Sequence, residues 1–544
     1  MATFEPKETR NIKESRSKPF INIALDTIEM GKQALVFVNS KKRAEKTAEE
    51  IALIRQIQGE DKKECEVIAD KALKALSIPT RQCKRLAECL KKGIAFHHAG
   101  LVSKQKSLIE DAFREGKIKV ICATPTLAAG LDLPAFRVII RDLTRFSHRG
   151  MAYIPVLEYF QQIGRAGRPK YDKYGEAIVI TSTEKERDYI IENYLYGEPE
   201  DIYSKLAVEP ILRSYVLSLI VTRFATSHDE MMNFFSKTFW AYQFKELEKI
   251  ELIIDRIIRD LGEWGFIESK GQNEEGDDMF VSADALNEKS KKEFKATPVG
   301  KKVSETYVDP YTANHIIEGL KKAYKEHNYS SLGLLHLICH TLEMRPLLRV
   351  RAKEEEDLED FYAKHEDILL EEAPSYYDME YEEFLRGLKT AKAFYAWLNE
   401  KSEEHLYEKY GVLPGEQKAK IDIADWLLYS SAEFCRILEM KELINELNKL
   451  RLRLKHGVKD ELIPLIRLKQ IGRVRARKLF NNGYKSINAL KKADINELAR
   501  LVGKSIAIKL KKQLTGEDYE KEDITAKEKK NGQQTIHGFL GKGE

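Results

Sequence analysis

Between Pro19 and Ser182 the chain repeats one pattern, a short apolar run followed by a longer amphipathic stretch. The runs lie at 34–38, 94–96, 120–123, 138–140 and 177–180, and residues 41–57 and 103–114 are two of the amphipathic stretches between them. A strand with one solvated face alternates polar and apolar residues, whereas a strand covered on both faces is apolar throughout. Covered strands separated by helices predict a doubly wound parallel sheet, hence an α/β domain. In such a sheet the functional residues gather at the carboxyl edge of the strands. The strand ends read Asn39-Ser40, His97-His98-Ala99-Gly100 and Thr124-Pro125-Thr126, so these are the first candidates.

Further on lies the nonamer Gln161-Gln162-Ile163-Gly164-Arg165-Ala166-Gly167-Arg168-Pro169. On a helical turn its two arginines would sit about 5–6 Å apart at Cβ, with Gly164 and Gly167 keeping the surface between them low. Two fixed cations on a shallow surface suit the charge of a polyphosphate transition state held by a facing domain. The alternative is a basic helix that makes only surface salt bridges.

Leu35-Val36-Phe37 with Ser40 and Arg43 resembles motif IV of superfamily 2 helicases, and Phe96-His97-His98-Ala99-Gly100-Leu101 resembles motif IVa. Ala123-Thr124-Pro125-Thr126-Leu127-Ala128-Ala129-Gly130-Leu131-Asp132-Leu133-Pro134-Ala135 resembles motif V, and the nonamer resembles motif VI. Motifs in this order are similar to the second RecA-like domain of superkiller-type helicases, closest to the archaeal Hjm DNA-repair helicases, kin of the polymerase theta helicase domain. The resemblance implies that Gln161, Arg165 and Arg168 face the γ-phosphate of ATP, with Arg168 as arginine finger. It implies that Gly130, Asp132 and Gly164 lie beside the nucleotide, with Asp132 standing where the family usually has Asn. Thr124 and Thr126, helped by Ser40 and His98, would hold phosphates of the tracked strand. Both histidines also read as packed strand-end residues, the favoured reading for His97.

Residues 141–158 are too polar at their centre for a core and have Gly150 for a turn. In the family this insert is a β-hairpin at the duplex junction, where Phe146 or Met151 would stack on the last base pair while Arg145 and Arg149 hold phosphates. A plain surface hairpin is the other reading. Residues 198–305 carry helical spacing at 206–224, 230–240 and 244–262, then short strands at 266–269, 279–282 and 294–296, which predicts a winged helix. In the family that domain buttresses the motor.

Residues 306–457 are helical in pattern at 313–326, 331–343, 383–401 and 418–455, resembling the family's helical-bundle ratchet domain. Pro414-Gly415 is a start signal for the last of these. Lys418 and Trp426, two turns apart, would share a face able to hold one phosphate and one stacked base. Trp426 as a core residue packed with Ile423 and Leu427 is the competing reading. Residues 458–514 twice show helix, Gly-containing turn and helix, around Gly472 and Gly503, the helix-hairpin-helix pattern. Such turns expose backbone N–H groups that bind phosphate without regard to sequence. Arg473, Arg475, Arg477 and Lys478 would add salt-dependent affinity.

The flanks read as a polar tail at 1–18 and a disordered tail at 515–544. In the second, Gln533, Ile536, Phe539 and Leu540 resemble the short peptide that docks repair proteins on the sliding clamp. The expected organisation is therefore multidomain α/β plus α, with the RecA-like domain at 19–197. Net charge is only +4, so a nucleic-acid surface must come from segregation. Residues 449–485 carry 12 Lys/Arg against two acids, and residues 354–383 carry 14 Asp/Glu against one Lys, a solvated face or loop. Six cysteines without CxxC pairing, and no His/Cys cluster at zinc spacing, predict a reduced, cytoplasmic chain without a structural metal.

No GxxxxGK[ST] occurs in the sequence. Residues of the arginine-finger type act on a nucleotide held by an opposing domain, so the reading is the C-terminal half of a helicase, from a split gene or a truncation. ATP with Mg²⁺ would be held mainly by a separate first RecA-like domain. The expected activity is 3′→5′ unwinding of single-stranded and branched DNA at stalled forks, absent without the partner half. A non-enzymatic adaptor joining branched DNA to the sliding clamp is the alternative, and an RNA helicase is less favoured.

Overall fold

β1 (Ala34–Phe37), β2 (Ile94–His97), β3 (Val120–Ala123) and β4 (Arg137–Ile140) are buried along their whole length, as continuous apolar runs require. Next in the chain come β5 (Thr144–Ser147) and β6 (Gly150–Tyr153), which pair only with each other, and then β7 (Glu176–Val179). The main sheet has the order β2-β3-β1-β4-β7, with every neighbouring pair parallel. Phe37 lies opposite both Ala123 and Ile140, and His97 lies opposite Ala123, so the strands end level. The expected strands are all present. These features belong to a computed structural model that describes residues 11–12, 18–76, 78–128, 133–147, 150–167, 172–270 and 293–516.

Helices Lys41–Ile54, Gly59–Leu73 and Arg81–Leu90 connect β1 to β2, and Ser103–Arg114 connects β2 to β3. Gly59–Leu73 buries mostly small residues, Cys65, Ala69 and Ala72 with Ile68, which weakens its apolar stripe in sequence. The most deeply buried arginine among the described residues lies inside this domain. Arg137, 1% exposed, donates from Nε to Glu176 (2.7 Å) and from one terminal nitrogen to Asp26 (2.8 Å), Thr27 (2.7 Å) and the Ile23 carbonyl (3.1 Å). It ties β4 and β7 to the helix Pro19–Glu29, and a buried cation is tolerated because its donors are met.

Helices Glu209–Val221, His228–Ser236, Phe239–Phe244 and Leu247–Glu263 precede an antiparallel pair, β8 (Ile267–Lys270) with β9 (Glu293–Ala296). This is the expected winged helix; the strand expected at 279–282 lies outside the described residues. Thr297 caps the following helix Pro298–Thr306 by accepting from Gly300 N (3.0 Å).

The helical region contains Pro310–Glu326, Ser331–Cys339, Tyr381–Leu398, Pro414–Ile437 and Lys441–His456. The expected single helix at 418–455 is two helices, because Glu439 takes a left-handed φ of 60° and breaks the chain between them. The acidic stretch forms the helix Glu355–Ala363, which buries Leu358 and leaves its carboxylates in solvent. Among the described residues no helix is long and apolar enough to cross a membrane.

The chain forms two compact units: one runs to Ala393 and includes Ser402–Ile444, the other joins Phe394–Lys401 to residues from Asn445 onward. The second unit contains two helix-turn-helix pairs, Ile463–Ile466 with Arg473–Asn481 and Ile495–Val502 with Lys504–Thr515. They share one core built around Leu465, Ala476, Leu479, Leu498, Ala507 and Leu510. Gly503 turns the second pair at φ 93°, a conformation that favours glycine.

Candidate nucleotide and nucleic-acid interface

At the carboxyl edge, Ser40 is exposed and caps the helix Lys41–Ile54 by accepting from Arg43 N at 3.3 Å. Thr124 and Thr126 follow β3 in one tight turn with their hydroxyls 3.0 Å apart, Thr126 exposed and Thr124 8% exposed. Three of the expected strand-binding side chains thus share this edge.

His98 does not join them. Its ring is 0% exposed, stacks on Phe96, accepts from Gly100 N through Nδ1 at 3.1 Å, and puts Nε2 3.3 Å from Glu45. A side chain without exposed surface meets no phosphate, so the expected strand contact at His98 is corrected: it shapes the Gly100 turn. Burial pushes the Glu45 carboxyl up, but hydrogen bonds from His98 and Gln82 and the Arg85 charge outweigh it and hold Glu45 below its usual value. His97 is packed as favoured, with Nε2 3.0 Å from Glu110, and burial lowers its basicity.

The geometry expected for the nonamer is also corrected. The helix Val156–Ile163 stops at Gly164, so Arg165 lies past its end rather than on a helical turn. Ala166 instead bridges to Ala135, Gly167 N donates to the Ala135 carbonyl at 2.7 Å, and Ala135 N donates to the Arg165 carbonyl at 2.9 Å. Gly167 has φ 95°, and Gly175 packs so close to its backbone that a Cβ there would collide. Backbone pairing between two distant segments outcompetes one more helical turn. The result places the half-buried Arg165 guanidinium against the Ala128 carbonyl at 2.7 Å, beside the turn that carries Thr124 and Thr126. Gln161 and Gly164 are exposed next to it. Gly130, Asp132 and Arg168 lie outside the described residues, as does Arg149.

The hairpin β5–β6 is pinned at its root and exposes side chains farther along its strands. At the root, Asn39 donates to the Thr144 carbonyl (2.8 Å), Arg43 pairs with Asp142 (2.6 Å), and Ile154 N donates to the Leu143 carbonyl (2.8 Å). Toward the tip, Phe146 and Met151 face each other across the pair at 81% and 64% exposure. Arg145 pairs with Glu158 at 2.8 Å while remaining partly exposed.

On the helix Pro414–Ile437, Lys418 is exposed and pairs with Asp422 (2.6 Å). Trp426 is half-buried, and its indole N–H donates to the Thr306 carbonyl at 2.9 Å. The structure therefore favours the packed reading of Trp426 over the expected base-stacking one. The start of this helix has a role that sequence did not reveal. Gly415 N donates to the Gly100 carbonyl (3.0 Å), Leu413 packs on Gly100, and Lys41 pairs with Glu416. A cleft of about 850 Å³ beside it is bordered by Lys41, Arg345, Arg349, Arg351, Lys389 and Lys420. Burial lowers the basicity of Lys41 and Lys420.

In the second unit Gly472 is exposed at the start of Arg473–Asn481, and Arg475 and Lys478 point to solvent. Arg473 covers the Trp397 ring at 4.1 Å and donates to the Lys401 carbonyl (3.0 Å). Arg477 departs from its expected phosphate-binding role: it donates from Nε to Glu400 (2.9 Å) and from a terminal nitrogen to Glu461 (2.9 Å). Two carboxylates already neutralise it. The peptide at 533–540 lies outside the described residues.

Four stretches of the chain match known families. Residues 53–170 match the helicase conserved C-terminal domain, 175–268 a helix-turn-helix domain, 332–457 the archaeal helicase domain 4, and 462–515 the SAM-like helix-hairpin-helix tandem. The chain is 37% identical to an ATP-dependent DNA helicase Hel308 of Methanocella arvoryzae over 99% of its own length and 70% of that protein's. It is 40% identical to that of Pyrococcus abyssi over 88% of its length and 63% of the relative's. For Methanococcus vannielii the figures are 36%, 92% and 69%. The chain thus spans about two thirds of these relatives' length.

Proposed function

The chain belongs to the Hel308 family of ATP-dependent DNA helicases, and from that premise we propose that it is the C-terminal part of a 3′→5′ DNA helicase motor acting in repair at stalled or branched forks. The observation that carries this reading is the Arg165 hydrogen bond to Ala128. It puts the Arg165 guanidinium beside the turn that carries the Thr124 and Thr126 hydroxyls, which supports a cation for the nucleotide and a hydroxyl pair for the strand on one edge. A change at the phosphate side can then be felt at the strand side through a single loop.

The residues at this edge fit ATP: a guanidinium and the exposed Gln161 amide are donors for phosphate oxygens. ATP with Mg²⁺ would supply the free energy of phosphoryl transfer when held by a phosphate-loop domain facing this edge. Arg165 and Arg168 would neutralise charge at the phosphate chain, Thr124 and Thr126 would hold the strand backbone, and Phe146 with Met151 would wedge the last base pair. The exposed backbone at Gly472 and Gly503 would hold the departing strand, and residues 533–540 would dock on a sliding clamp.

The test is reconstitution. ATPase and unwinding are measured for this chain alone, then with a matching first RecA-like domain and single-stranded DNA. The expected result is DNA-stimulated ATPase only in the mixture, abolished by Arg168→Ala and reduced by Arg165→Ala. No ATPase in the mixture overturns the reading. DNA and clamp binding that ignores ATP and both arginines would favour the adaptor instead.

A further inference from the structure

We propose that His315, His340 and Glu371 form a binding site for one divalent transition metal ion of the zinc type. Three elements supply them. His315 lies on the helix Pro310–Glu326, His340 directly follows the helix Ser331–Cys339, and Glu371 lies beyond the short turn Glu366–Ile368. His315 Nε2 is 3.0 Å and His340 Nδ1 is 3.1 Å from the same carboxylate oxygen, Glu371 Oε1. One ligand atom from each residue falls within 4.8 Å of the others. Tetrahedral Zn²⁺ with bonds of about 2.0–2.1 Å separates its ligands by about 3.3–3.4 Å. The two nitrogen-to-oxygen separations therefore lie within a few tenths of an ångström of what an ion requires.

The surroundings separate this cluster from an ordinary hydrogen-bond network. His336, on the same helix as His340's turn and 0% exposed, puts Nδ1 3.2 Å from the other oxygen, Glu371 Oε2. Yet His315 Nε2, both ring nitrogens of His336 and Glu371 Oε2 are buried without an aligned hydrogen bond. Several polar atoms converge, and few satisfy one another, although unmet buried polar atoms are costly. An ion meets that need because its attraction is not tied to an N–H direction. His336 would then act through Glu371, orienting the carboxylate from behind as outer partners of metal ligands do. The His315 and His340 side chains are about a quarter exposed, 27% and 24%, so the cluster lies close to the protein surface. Two imidazoles and a carboxylate are a donor set suited to Zn²⁺ and its neighbours in the first transition row.

Bound there, the ion would clamp two helices and the 366–371 segment. Linear spacing obscures the site: its three ligands are scattered over 315–371, and the one HxxxH spacing, His336 to His340, pairs a ligand with the residue behind Glu371.

The test uses the full chain stripped with chelator, then titrated with Zn²⁺ by calorimetry and with Co²⁺ by absorption. The expected result is one ion per chain at micromolar affinity or tighter, Co²⁺ d–d bands, and a raised Tm with Zn²⁺. His315→Ala and Glu371→Gln should each weaken binding at least 100-fold, and His336→Phe about 10–100-fold. His315→Cys, which restores a ligand, should recover most of it. No stoichiometric ion and no d–d bands for the unmodified chain overturn the proposal without reference to any variant. So does Zn²⁺ affinity unchanged in folded His315→Ala and Glu371→Gln proteins.

Discussion

Two aromatic side chains stand near lysines or arginines in the sequence, and the fold uses them in opposite ways. Phe146 sits toward the tip of a hairpin whose root is pinned by Asn39, Arg43 and Asp142, and it is 81% exposed beside exposed Met151. Trp426 lies on a long helix, half-buried, with its N–H bound to the Thr306 carbonyl. One residue has its mounting inside the protein and its surface outside. The other is itself part of the mounting. A packed aromatic and an exposed one look alike in sequence, and only their neighbours tell them apart.

The largest effect should come from Trp426→Ala, which removes packing and leaves the Thr306 carbonyl without its donor. Denaturant unfolding should show a loss of about 2–4 kcal/mol. Phe146→Ala should leave stability within about 0.5 kcal/mol while weakening affinity for a forked duplex by about 1–3 kcal/mol. Equal destabilisation by both variants would break the contrast. Gly415→Ala extends it to the same helix: its new Cβ would press on the Ala99 and Leu101 carbonyls, and overpacking of that kind costs about 1–3 kcal/mol in a thermal or denaturant melt.

A smaller pair of effects separates Arg475 from Arg477. Arg475→Gln should lower DNA affinity and reduce the salt slope by about one, seen in binding titrations from low to moderate salt. Arg477→Gln should leave the slope nearly unchanged and instead loosen the link among Glu400, Glu461 and the helix Arg473–Asn481, read as a lower Tm.

The smallest effect is at acid pH. Glu45 has a folded pKa below its usual 4.5, so its ionised form stabilises the fold fully above that pH, and the contribution is lost as pH falls through the folded value. Glu45→Gln should flatten that part of the stability–pH curve. A curve of unchanged slope would separate Glu45 from the His98 turn.

The arginine nonamer shows where sequence reading reached its limit. Its residues and their order point to the sheet's carboxyl edge, and Arg165 is there. Its expected helical turn is absent, because pairing of Ala166 with Ala135 is a contact between segments some thirty residues apart, and no local propensity encodes it. His98 failed for a similar reason. A histidine after a strand looks available, and burial under Gly100 and beside Glu45 is decided by other elements.

What the sequence determined by itself is the order and kind of the elements. Covered strands are apolar, helices have their period, and glycine marks turns whose φ other residues disfavour, as at Gly503. These are local consequences of burial and backbone sterics. Tertiary structure alone decided which polar side chains remain available. Whether Arg477 meets a phosphate or Glu400, whether Trp426 meets a base or Thr306, and whether His315 meets His340 over Glu371 depend on residues far along the chain. A charge or ring acts on whatever lies within a few ångströms, and sequence distance carries little of that information.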